Sequence, residues 1–223
     1  LSMGGSTSSV VKGESLADTI QTIYAMNVDM FVCRARLAGT PEKITENTDA
    51  VVINAGDGKH QHPTQAMLDL YTIRKSFGHL DGLKVAIVGD LAHSRVCGSL
   101  APALKTMGAN VTLVAPPTFQ VDDPEWFGCP QTSSLDEVIE DMDVVYMLRV
   151  QLERMEGAAI PSRREYNRLY GLDMNRVNRM KDGAIICHPG PMNRGMEINA
   201  DVADCARSRI LDQVNAGVLT RMA

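Results

Sequence analysis

The chain has 223 residues, 44% hydrophobic and 22% charged, with a formal net charge of −5. That length can bury a proper core in one large domain or two small ones. The acidic balance, with no basic block to offset it, argues against a nucleic-acid binder, and the lack of any run of about 18 apolar residues argues against a membrane span.

Cys33, Cys97, Cys129, Cys187 and Cys205 form no C-x-x-C pair, and their odd number fits reduced thiols and a cytoplasmic setting better than a disulfide framework. The first residues, Leu1-Ser2-Met3-Gly4-Gly5, carry neither the basic nor the apolar region of a secretory signal. They also lack an initiator Met at position 1, so a fragment or processed product is expected.

Residues 2–13 are rich in Gly and Ser and read as a loop. Residues 14–26 read as a helix with Leu16, Ile20, Ile23 and Tyr24 on one face. A buried strand is expected at 29–33, ending at Arg34, then a second helix and a short strand at 50–53. The segment Asn54-Ala55-Gly56-Asp57-Gly58-Lys59-His60 leads into Gln61-His62-Pro63-Thr64-Gln65, and a helix closed by Gly78 follows. His62 and Gln65 thus sit three residues apart at an expected helix N-terminus, where backbone N–H groups suit an anionic or carbonyl-bearing ligand.

From Leu83 onward, strands and helices alternate. Strands are expected at 84–90, 111–115, 143–147 and 183–187, with helices at 96–107 and around 136–139. Short continuous apolar strands between helices argue for a doubly wound parallel sheet. The best domain boundary is 78–82.

Ligands of open α/β sheets bind beyond the carboxyl ends of the strands. At those ends stand Arg34, His62 with Gln65, Gly89-Asp90 with Arg95, Arg149-Val150-Gln151, and His188-Pro189-Gly190-Pro191. Guanidinium forks bind carboxylate or phosphate bidentately. Taken singly, each arginine reads as a surface ion-pair partner, His62 as a cap, the Gly-Pro pairs as turns and Lys12 as a solvated lysine. Their recurrence at one edge favours a ligand site.

Sharper alternatives fail. Gly89-Asp90-Leu91-Ala92-His93-Ser94 lacks the G-x-G-x-x-G spacing of dinucleotide sites. His60 and His62 have no acidic cluster beside them in sequence, so no metal is expected. No nucleophile elbow accompanies a Ser or Cys.

Across essentially its whole length the chain resembles the catalytic chains of the aspartate carbamoyltransferase family. The resemblance rests on Lys12-Gly13-Glu14-Ser15-Leu16-Ala17-Asp18-Thr19, Asn54-Ala55-Gly56-Asp57-Gly58, His62-Pro63-Thr64-Gln65, Val88-Gly89-Asp90-Leu91, Tyr146-Met147-Leu148-Arg149-Val150-Gln151 and His188-Pro189-Gly190-Pro191. It implies an α/β, two-domain carbamoyltransferase fold, each domain a parallel sheet flanked by helices. The implied domains are a partial carbamoyl-phosphate domain at 1–78, an aspartate domain at 79–215, and the start of a returning helix at 216–223.

The implied reaction joins carbamoyl phosphate to the amine of L-aspartate for pyrimidine synthesis, without metal or organic cofactor. By the resemblance, Arg34, His62, Gln65 and Ser8, with the backbone at Gly190 and Pro191, hold carbamoyl phosphate. Lys12, Arg95, Arg149 and Gln151 bind aspartate, and the chemistry falls to Arg34, His62, Lys12 and Gln65. Ser8 and Lys12 match a loop that reaches into a neighbouring subunit's site, which implies a homotrimer. Regulatory subunits or another enzyme of the pathway are candidate further partners.

Departures from the pattern are also expected to matter. The family's Ser-Thr-Arg-Thr phosphate-binding run falls upstream of Leu1, the sequence stops at Ala223 where the family continues a helix, and Ala35-Arg36 replaces a His-Pro pair. The sequence therefore reads as truncated at both ends, with weakened phosphate affinity expected. Rival readings are transfer to another amino acid such as ornithine, which two arginines disfavour, and a non-catalytic homologue.

Overall fold

The computed structural model describes residues 15–123, 127–151 and 162–223. The chain forms two compact units, one running to Gln61 and the other from His62 to Ala223.

In the first unit, helix α1 (Leu16–Tyr24) starts at Ser15, whose Oγ accepts from the Asp18 backbone N–H at 3.1 Å. This satisfies one of the free amides of the first turn. Strands β1 (Met30–Ala35) and β2 (Val51–Asp57) pair in parallel, joined by helix α2 (Thr40–Asn47). The buried strand expected at 29–33 is not buried: β1 alternates exposed and half-buried residues, and Val32 is 66% exposed. Among the described residues β1 has a single strand neighbour, so apolar composition did not translate into burial.

The second unit begins with helix α3 (Pro63–Phe77), which ends where Gly78 takes a left-handed φ of 83° and its N–H caps Arg74 O. Then come β3 (Lys84–Val88), α4 (Arg95–Thr106), β4 (Asn110–Val114), β5 (Gln131–Thr132) and β6 (Val144–Met147). Helices α5 (Arg163–Tyr170) and α6 (Met174–Arg179) precede β7 (Ile185–Cys187), and α7 (Ala200–Ala203) and α8 (Ile210–Met222) follow it. The strands form a parallel sheet in the order β5-β4-β3-β6-β7.

Strand side chains alternate faces with period two, and both faces are covered. Val85, Ile87, Val144 and Tyr146 pack with Ile73 of α3 and Leu100 and Leu104 of α4. Ala86, Val88, Val145 and Met147 pack on the opposite side with Leu135, Val177, Val202 and Ile210. This double burial is why the strands read as continuous apolar runs. Truncating the fully buried Leu104 to alanine is expected to cost about 2–5 kcal/mol. Denaturant titration would check it, and a loss below about 1 kcal/mol would mean that the site collapses around the cavity.

Three local differences from the sequence reading have physical causes. The helix expected around 136–139 is two 3₁₀ turns, Leu135–Glu137 and Ile139–Asp141, which tuck Leu135 and Ile139 into the core. Helices α5 and α6 escape an apolar-periodicity reading because polar groups anchor them. The buried Arg176 guanidinium holds Asp136 at 2.7 Å and donates to Gly171 O at 2.6 Å and Leu169 O at 2.9 Å. Helix α8 starts at Ile210, so position 216, where a returning helix was expected to begin, lies inside it.

Candidate active site

The sheet order makes β3 and β6 central neighbours. From β3 the chain continues to β4 and β5 on one side; from β6 it continues to β7 on the other. The loops leaving their carboxyl ends therefore diverge, which is the crevice of a doubly wound sheet. Arg95 and Arg149 mark these two loops: Arg95 is the first residue of α4, where the loop after β3 ends, and Arg149 lies two residues past the end of β6.

The loop after β3 is held from within. The buried Asp90 Oδ1 accepts from the His93 backbone at 3.2 Å and pairs with His93 Nδ1 at 2.7 Å, which makes Nδ1 the protonated ring nitrogen. Ser94 then caps α4 through the Cys97 N–H at 3.4 Å. Gly89 has φ 130°, and a Cβ there would lie 3.1 Å from Leu148 O, so the two loops approach only because this residue is glycine. Gln151 Nε2 donates to His93 O at 3.5 Å, tying the second loop to the first.

A third wall is the segment after β7. His188 is almost fully buried; its Nδ1 accepts from Gly190 N–H at 2.9 Å, so Nε2–H donates to Glu197 Oε1 at 3.2 Å. The fully buried Glu197 also accepts from Asn193 N–H at 2.6 Å and from Asn193 Nδ2 at 3.2 Å. Asn193 Nδ2 reaches Val150 O at 3.1 Å, connecting this wall to the Arg149–Gln151 loop. The peptide Gly190-Pro191 is cis.

Helix α3 supplies the fourth wall. His62 is its N-cap, and the His62 N–H donates to Ser99 Oγ of α4 at 2.8 Å. One turn on, the buried Gln65 donates from Nε2 to Asp69 Oδ1 at 3.0 Å. Gln65, His188 and Gly190 line one cavity, together with Gln213 and Arg221. Burial pushes the Asp69 carboxyl up to about 7, against the lowering effect of hydrogen bonds from Tyr146, Gln213 and Gln65 and the charge of Arg221.

The second unit thus gathers His62, Gln65, Arg95, Arg149, Gln151, Gly190 and Pro191 around the carboxyl ends of its strands. Arg34 belongs to the first unit, exposed near the end of β1. Ser8 and Lys12 lie outside the described residues. Asp69, Gln213, Asn193 and Glu197 were missed by sequence reading, although Gln65 and Asp69 share a helix face at i, i+4 spacing, which was the available signal.

One expectation about metals needs correcting. The fold does bring acidic groups to His60: ligand atoms of Glu42, Asp57 and His60 lie within 4.8 Å of one another. Asp57, however, is already committed, accepting from Asn54 Nδ2 at 2.8 Å, Gly39 N–H at 2.9 Å, Gln61 N–H at 3.1 Å and His60 Nδ1 at 3.0 Å. Desolvation raises its pKa, but the bonds from Asn54, Gly39 and His60 outweigh that and leave it lowered. It closes the turn that carries Gly58, whose φ is 48°. No helix among the described residues is long and apolar enough to cross a membrane.

Comparison with known proteins agrees with this fold. Residues 1–75 match the family described as aspartate/ornithine carbamoyltransferase, carbamoyl-P binding domain. Residues 81–223 match its Asp/Orn binding domain. The aspartate carbamoyltransferase catalytic subunit of Thermobifida fusca (strain YX) is 55% identical over 216 residues, 97% of this chain and 69% of that protein. That of Campylobacter fetus subsp. fetus (strain 82-40) is 50% identical over 225 residues, covering 100% of this chain and 72% of that protein. Among solved structures, aspartate transcarbamoylase from Trypanosoma cruzi in complex with N-(phosphonacetyl)-L-aspartic acid superposes with a TM-score of 0.86 at 31% identity, covering 100% of this chain and 72% of the other. The same enzyme in complex with carbamoyl phosphate gives 0.87 at 31% identity, with the same coverage. The chain belongs to the aspartate/ornithine carbamoyltransferase family.

Proposed function

We propose that this chain transfers the carbamoyl group of carbamoyl phosphate to the α-amine of L-aspartate, releasing phosphate and N-carbamoyl-L-aspartate. The observation that carries this reading is the pair of arginines, Arg95 and Arg149, placed where the chain diverges after β3 and β6 at the switch point, a pairing that suits an acceptor with two carboxylates. A guanidinium fork matches each carboxylate, whereas the cationic side chain of ornithine would be repelled by both.

In this reading Arg95 and Arg149 bind the aspartate carboxylates, with Gln151 and Lys12 in support. His62, Gln65, Arg34, Ser8 and the Gly190-Pro191 backbone hold carbamoyl phosphate. The amine attacks the carbamoyl carbon, charge grows on the carbonyl oxygen, and donors from His62 and Arg34 stabilise it. Gln65 accepts from the carbamoyl NH₂, and Lys12 with Arg34 screens the departing phosphate. The phosphate takes the amine proton as it leaves, so His62 need not act as a base. Alignment of two anions that repel each other in solution is the main gain, since oriented reactions reach effective molarities on the order of 10⁵ M or more.

The assignment extends to a cytoplasmic step in pyrimidine synthesis and to a homotrimer in which Ser8 and Lys12 serve a neighbouring subunit's site. Carbamoyl transfer is tested by following phosphate release and N-carbamoyl-aspartate formation with aspartate or ornithine as acceptor. Turnover with aspartate alone is expected; preference for ornithine, or no turnover with either, overturns the reading. Light scattering tests the trimer.

A further inference from the structure

Asp69 stands behind the substrate-facing groups, one helical turn beyond Gln65. It is fully buried, and among the described residues its carboxylate meets neutral donors from three elements. Oδ1 accepts from Gln65 Nε2 at 3.0 Å and from Gln213 Nε2 of α8 at 2.7 Å. Oδ2 accepts from the Tyr146 hydroxyl of β6 at 2.7 Å. The other end of the Gln213 amide is also used, since Oε1 accepts from the His188 backbone N–H at 2.9 Å.

A primary amide presents NH₂ at one end and an acceptor oxygen at the other, and either end can face a ligand. An ionised carboxylate can only accept. By holding the NH₂ of Gln65, Asp69 leaves Gln65 Oε1 as the end free to meet a ligand, which is what an NH₂-bearing carbamoyl group needs. By holding the NH₂ of Gln213, it aims that residue's oxygen at the His188 backbone and so sets the segment carrying Gly190 and Pro191. We propose that Asp69 is a positioning residue that, through this one carboxylate, fixes both the amide orientation of Gln65 and the placement of the His188–Pro191 segment. The proposal rests on the carbamoyl-transfer reading and deepens it, naming what orients the carbamoyl subsite.

The arrangement also carries a pH dependence. The groups facing Asp69 are Tyr146 on β6, Cys187 on β7 and Arg221 on α8. Burial pushes the Tyr146 hydroxyl and the Cys187 thiol well above their ordinary values, so both stay neutral, and Arg221 supplies the one positive charge among them. With its carboxyl raised to about 7, Asp69 gains a proton within the neutral range. A proton on Oδ1, the oxygen that both amides share, turns it into a donor, so the two amides lose their acceptor and Gln65 is free to flip. Carbamoyl-phosphate binding is therefore full above that pH and weakens as the pH falls through it.

The test uses the full chain as wild type, Asp69→Asn and Asp69→Leu. Asparagine keeps an acceptor for both amides but cannot titrate; leucine removes the acceptor. Calorimetric titration with carbamoyl phosphate is expected to weaken by roughly 10- to 100-fold in Asp69→Leu. In Asp69→Asn, affinity stays within a few-fold of wild type on the alkaline side, and the fall that wild type shows on acidification is flattened. Wild-type affinity in Asp69→Leu, or an unchanged pH profile in Asp69→Asn, overturns the proposal. If the leucine variant does not fold, the asparagine profile decides alone. The ¹⁵N side-chain amide signals of Gln65 and Gln213 give a reading independent of activity: they should titrate together in wild type and stay flat in Asp69→Asn, and independent titration overturns the network. Lack of wild-type turnover would overturn the carbamoyl-transfer reading, while the amide signals would still decide the role of Asp69.

Discussion

Replacing Arg149 by leucine is expected to raise the KM for L-aspartate by roughly 30- to 1000-fold, while the KM for carbamoyl phosphate stays near its wild-type value. The magnitude follows from losing the proposed charge-assisted, bidentate pair in a half-buried setting, worth about 2–4 kcal/mol when one partner is truncated. Its selectivity follows from topology: Arg149 leaves β6 at the switch point, whereas Gln65 and His62 reach the site from α3. Lysine at this position is expected to recover only part of the loss, since an ammonium offers a point charge in place of a planar fork. Steady-state kinetics with each substrate varied in turn decides it. Equal increases in both KM values would mean that the substitution disorders the loop and that Arg149 is not an aspartate contact.

Glu197→Ala is the substitution with the largest expected effect on stability outside the apolar core. Glu197 accepts from the Asn193 backbone, from Asn193 Nδ2 and from His188 Nε2, and its side chain is completely buried. Its removal takes the acceptor from the buried His188 Nε2 and the half-buried Asn193 backbone N–H and one acceptor from Asn193 Nδ2, at about 1–3 kcal/mol for each unsatisfied group, so a total loss of about 3–5 kcal/mol is expected. Glutamine keeps one acceptor oxygen and should lose about half as much. Because Asn193 also holds Val150 O, the folded fraction of Glu197→Ala should show weaker aspartate binding as well. Urea unfolding of the variants, with aspartate KM measured under native conditions, tests both parts. A stability change below about 1 kcal/mol would show that water satisfies these groups and that the network does not hold the two loops.

The residues that touch substrate in this reading were legible in the chain because they directly follow apolar strands, and their side chains suit dianions and dicarboxylates. Arg95, Arg149, Gln151 and the His188–Pro191 segment were singled out by that rule, and the family resemblance supplied the roles proposed for them. The supporting residues were not. Asp69 sits in the middle of an amphipathic helix, where a carboxylate would ordinarily face solvent, and Gln213 is 144 residues away from it in the chain. Glu197 and Asn193 lie in an irregular stretch with no periodicity. The expectation of a buried strand at 29–33 failed for a related reason: apolar composition permits burial, but only neighbouring elements supply it.

By itself, the sequence determined the doubly wound strand–helix alternation of the second unit, since each strand must bury both faces and each helix one, and these needs leave distinct periods in the chain. It also determined which side chains leave the carboxyl ends of those strands. Tertiary structure decided the strand order that makes β3 and β6 neighbours. It likewise decided the buried hydrogen bonds joining Gln65, Asp69, Gln213 and His188. Apart from the i, i+4 pair Gln65–Asp69, those bonds form between groups far apart along the chain, where local periodicity carries no information, and burial makes their satisfaction obligatory.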